Sequence, residues 1–98
     1  MQRVAEQVVR PRRFGPKVLV RVDLHGVSVF GRGGHHLVRW EWIEDIAVAD
    51  GVTVRSASDE VAVPPGAFGL PAVELAQRLE AARSIDRRPE VIAGLNAP

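Results

Sequence analysis

Between residues 4 and 63 the chain alternates valine with polar residues in short bursts, and each burst stops at a turn signal. Successive side chains of a strand point to opposite faces, so this period of two marks strands with one face in a core. Val18, Val20 and Val22 alternate with Lys17, Leu19, Arg21 and Asp23, and Asp23-Leu24-His25-Gly26 then supplies a turn. Val27 and Val29 restart the alternation towards Phe30, and Gly31-Arg32-Gly33-Gly34 turns the chain again. His36, Val38, Trp40 and Trp42 share one parity. Ile43, Ile46 and Val48 lead to Asp50-Gly51, a strong two-residue hairpin signal. Val52 and Val54 follow it, Ser58-Asp59 turns, and Val61 and Val63 close the series before Pro64-Pro65 forbids further pairing. Seven strands are expected, over 4–10, 17–23, 26–30, 35–40, 43–49, 52–56 and 60–63.

After Gly66 the period changes. Ala72, Leu75, Ala76, Leu79 and Ala82 recur at spacings of three and four, with Glu74, Arg78 and Glu80 off the stripe. This predicts one amphipathic helix over 71–84, entered through Pro71 with Glu74 near its positive end. Arg87-Arg88-Pro89 reads as its terminator, which leaves 87–98 as a C-terminal tail in which Glu90 to Leu95 form a helical turn or a loose segment. With 98 residues the chain holds one domain, placed at 1–86. No helix falls between the strands, which excludes a doubly wound sheet. The expected fold is mainly β, a seven-stranded antiparallel barrel or sandwich capped by one terminal helix. There is no cysteine, so packing alone must hold it together.

Three stretches resemble the small bacterial pleckstrin-homology-like (PH-like) domains. Asp23-Leu24-His25-Gly26-Val27-Ser28-Val29 is similar to their hairpin, and Trp40-Glu41-Trp42-Ile43-Glu44-Asp45-Ile46 to their tryptophan segment leading into the second sheet. Val61-Ala62-Val63-Pro64 fits their last strand before the helix, and the resemblance covers Val18 to Arg83. Related folds bind phosphoinositides, phosphopeptides or partner proteins. The resemblance therefore implies a non-catalytic interaction module for a protein or peptide, or alternatively a peripheral binder of anionic lipid headgroups or phosphate.

Charge is distributed unevenly. Residues 1–21 carry Arg3, Arg10, Arg12, Arg13, Lys17 and Arg21 against Glu6 alone, a local charge of +5, whereas the whole chain has a net charge of +1. Arg10, Arg12, Arg13, Lys17 and Arg21 are the candidate anion- or lipid-binding residues, because clustered bases suit phosphate groups. In the lipid-binding relatives a lysine precedes a Lys/Arg-x-Arg pair across the first loop. Here Arg10 and Arg12 lie before the loop and Lys17 and Arg21 are four apart, a departure from that pattern. Trp40 and Trp42 are the candidate protein-contact residues, with at least one expected in the core. The opposite signs of the two parts of the chain also favour self-association, with a homodimer as the expected form.

Other patterns carry no chemistry. His35 and His36 point to opposite faces of a strand and cannot share a metal, so no metal and no cofactor is expected. Gly31–Gly34 lacks the lysine and following helix of a phosphate loop. Glu41, Glu44 and Asp45 have no nucleophile beside them, which argues against an enzyme. One short basic stretch falls below the footprint of a nucleic-acid binder. No apolar run approaches the ~18 residues that span a bilayer. The expected location is cytoplasmic, with peripheral membrane contact under the lipid reading.

Overall fold

Valine alternation becomes two antiparallel sheets in the computed structural model, which describes residues 4–10 and 16–96. The first sheet is a meander of β1 (Val4–Val9), β2 (Val18–Asp23), β3 (Gly26–Gly31) and β4 (Gly34–Arg39). The second is a meander of β5 (Asp45–Val48), β6 (Val52–Arg55) and β7 (Glu60–Val63). Two helices follow, α1 (Ala72–Ala82) and α2 (Arg88–Asn96). The protein is thus mainly β, with seven strands and, among the described residues, two helices where the sequence predicts one.

Pairing puts residues of one parity on one face. Ala5, Val22, Val27 and Val38 form a cross-strand row of the first sheet, and all four are buried. Val52 and Val54 pair with Val63 and Val61 in the second sheet and join the same core. Burying a valine side chain contributes about 1.5–3 kcal/mol, so this valine double layer is a large contributor to stability. Leu75 and Leu79 of α1 are buried, as their spacing predicts, and Ile92 and Leu95 of α2 complete the core.

The sheets do not close into a barrel, because β4 lies beside β7 without a shared hydrogen-bond ladder. The chain changes sheets at a 3-10 turn, Trp40–Trp42, and not through a bent continuous strand. Parity fails there. A 3-10 turn takes three residues per turn and cannot hold positions two apart on one side. Trp40 accordingly turns inward, 3% exposed, and its Nε1–H donates to the Asp23 carbonyl at 2.7 Å. Trp42 turns outward.

Two turns have a steric requirement for glycine. The Asp23 carboxylate accepts the His25 and Gly26 N–H groups at 2.8 and 3.0 Å, and a Cβ at Gly26 would lie 2.2 Å from the Val38 carbonyl oxygen. At Gly51 a Cβ would lie 2.1 Å from the Val63 carbonyl oxygen.

Residues 87–98, expected as a tail, hold α2. Pro89 stands in the first turn of this helix, where its missing N–H is no loss, so the sequence Arg87-Arg88-Pro89 starts a helix and does not merely end one. Arg88 is buried, 9% exposed. Its Nε–H donates to the Ala82 carbonyl at 2.8 Å and an Nη–H to the Arg83 carbonyl at 3.2 Å. These carbonyls end α1, where orphan acceptors and the negative pole of the helix favour a cation.

Candidate partner-binding surface

The helices lie against β5 and β6 (α1) and against β1 (α2). Ala5 is fully buried whereas Val4 and Val8 on the opposite parity are exposed, so α2 covers the core side of β1. The outward side of the four-stranded sheet therefore has no layer over it among the described residues. Val8, Leu19, Phe30 and His35 form one cross-strand row on it, and Glu6, Arg21, Ser28 and Leu37 form the next. Val8 is 59% exposed, and Leu19, Phe30 and Leu37 are partly so.

Aromatic rings and arginines interleave here. His35 stacks on Phe30 with centroids 4.0 Å apart and planes 7° from parallel, and the Arg21 guanidinium lies over the Phe30 ring at 4.9 Å. Arg21 also pairs with Glu6 at 2.8 Å. Beyond Leu37 comes Arg39, whose guanidinium lies 5.3 Å from the centroid of the Trp42 ring and pairs with Glu41 at 2.8 Å. Trp42 is 57% exposed at the margin of the face. It also borders a cleft of about 480 Å³ shared with Glu44 and the β6–β7 turn at Ser56–Ser58.

The residues singled out in the sequence thus separate. Trp40 is a core residue with the Arg88 guanidinium 5.0 Å from its ring centroid, and Trp42 alone is available for contact. Arg10 and Lys17 are exposed, one residue beyond the Val9–Val18 pair at the end of the outward face. Arg21 is committed to Glu6 and Phe30 within the sheet. Arg12 and Arg13 lie outside the described residues. Leu19, Phe30 and Leu37 were not singled out, although large apolar residues on the polar half of the alternation were the signal available.

At the end of the sandwich away from the helices, Val18, Val29, Val52, Val63 and Pro64 line an apolar cavity of about 390 Å³. Among the described residues no three His, Asp or Glu groups gather to hold a metal ion. No helix of the described residues is long and apolar enough to cross a membrane. No family model, no curated protein and no solved structure matches this chain.

Proposed function

We propose that this protein is a non-catalytic, PH-like interaction module that binds a protein or peptide on the outward face of its four-stranded sheet. The observation that carries this reading is the uncovered face itself, with Leu19, Phe30 and Leu37 on it and Trp42 at its margin. Exposed apolar surface fixed on a rigid sheet is characteristic of interaction sites, and tryptophan is enriched among residues that dominate binding energy. Four antiparallel strands, three more and then a helix support the PH-like assignment. Commitment of Arg21 to Glu6 weighs against the alternative of a phosphate site shared by Lys17 and Arg21.

Site-specific photo-crosslinking in cells tests this. A photoreactive phenylalanine analogue at position 42 or 30 is expected to capture the same protein, and the same group at Val73, exposed on α1, to capture none of it. Capture only at position 73 would place the partner elsewhere. No capture, with vesicle binding abolished by Arg10→Ala and Lys17→Ala together, would favour the lipid alternative.

A further inference from the structure

The apolar row of the outward face and the exposed bases Arg10 and Lys17 sit at the same end of the sheet. Val8, Leu19, Phe30 and His35 cross it near the β3–β4 turn. Arg10 and Lys17 flank that row, both exposed and neither within 4 Å of a carboxylate among the described residues, whereas Arg32 of the β3–β4 turn lines the cavity at the mouth of the sandwich that Glu60 also borders. The acids of the face are already used. Glu6 holds Arg21, and Asp23 accepts two backbone N–H groups in the β2–β3 turn. Asp50 and Glu60 line cavities at the mouth of the sandwich, and Asp59 lies 3.7 Å from His36 on the inward parity. The open face is consequently apolar near this end, with bases just beyond it.

We propose that the occupant of this face is an acidic peptide segment of a partner protein, seated by apolar side chains on Leu19 and Phe30 with its carboxylates towards Arg10 and Lys17. This rests on the reading of the face as a protein-binding surface. Charge complementarity selects the occupant, because opposite potentials across an interface steer association and exclude wrong partners. A second copy meeting this face with the same face would bring the carboxylates of Glu6 and Glu41, which Arg21 and Arg39 already hold. A nucleic-acid backbone or an anionic membrane would meet Glu6 and Glu41 as well as the bases, and neither needs Leu19 and Leu37 on the contact face. A peptide places carboxylates only where bases await them.

Fluorescence anisotropy with labelled peptides of about a dozen residues provides the test, one alternating glutamate with leucine and phenylalanine, the other with lysine for glutamate. The glutamate peptide is expected to bind and the lysine peptide not to. Arg10→Glu with Lys17→Glu should weaken the glutamate peptide by tenfold or more, as should Phe30→Ala, each with an unchanged circular dichroism spectrum. Salt at 0.5 M should weaken it several-fold, because exposed charges are screened beyond about 4–5 Å at that ionic strength. Equal binding of both peptides, no binding of the glutamate peptide, or indifference to the charge reversals would overturn the proposal. So would tighter binding to phosphatidylserine vesicles or to oligothymidine. A partner crosslinked at positions 30 and 42 through a basic or neutral segment would overturn the acidic assignment alone and leave the protein-binding reading standing. Absence of any crosslinked partner would remove both.

Discussion

Arg88 shows how one side chain can join three parts of the molecule. Its guanidinium closes the C-terminal end of α1 through the Ala82 and Arg83 carbonyls and lies over the Trp40 ring. Burial pushes its pKa below the ordinary value, and the Glu41 carboxylate opposes that. A guanidinium starts so high that Arg88 stays charged throughout the folded range. Arg88→Ala should destabilise the protein by about 2–4 kcal/mol, since two charge-assisted hydrogen bonds are lost and the buried Ala82 carbonyl is left without its donor. Arg88→Lys should recover little, because an ammonium lacks the planar fork that reaches two carbonyls while lying flat on a ring. Urea titration of the three proteins measures both. Glu41 is the complementary case. A hydrogen bond from its own backbone, and then Arg39, hold its carboxyl below the usual carboxylate range. A depressed carboxyl stabilises the fold above its unfolded value and loses that contribution as the pH falls through its folded value. The Trp40–Trp42 turn should therefore loosen in acid, and an NMR titration of Glu41 should give a midpoint below that of an unstructured peptide.

At the scale of elements, α2 is part of the core and not an appendage. Ile92→Ala should cost about 2–5 kcal/mol, as should Leu79→Ala, whereas Ile85→Ala between the helices should change stability by less than about 0.5 kcal/mol. Ile92 and Leu79 are fully buried and Ile85 is 73% exposed, so thermal melts of the three variants separate the two classes. The same comparison explains which elements could be read in the sequence. β2, β3, β6 and β7 repeat valine on their inward parity, and α1 repeats leucine and alanine on one stripe. The buried positions of α2 are Arg88, Ile92 and Leu95, and the arginine breaks an otherwise regular spacing of four and three. A buried cation is legible only once the carbonyls it serves are in place. The candidate face is hidden in the sequence for another reason. Leu19, Phe30 and Leu37 fall among Arg21, Ser28 and Arg39 on the outward parity, where each alone resembles an ordinary exposed apolar residue. Pairing register brings them together, and that register follows from the geometry of the β2–β3 and β3–β4 turns and not from the apolar residues themselves.

For the whole molecule, the helices tie the two sheets into one cooperative unit. α1 rests on β5 and β6, α2 rests on β1, and the helices pack on each other. Unfolding by urea should therefore be a single transition, with tryptophan fluorescence and far-ultraviolet circular dichroism coinciding. Trp42→Phe should leave that midpoint nearly unchanged while Trp40→Phe lowers it through loss of the hydrogen bond to Asp23. Distinct midpoints for the two probes would show that the sheets come apart separately. The Asn96 side chain has a wider consequence, because its Nδ2–H donates to the Val4 carbonyl at 2.8 Å and fastens the last helix to the first strand. The order in which the elements are synthesised is then not what holds them in place. A circular permutant that links residue 96 to residue 4 by a few glycines, and opens the exposed turn between Ala57 and Ser58, should fold to the same sandwich.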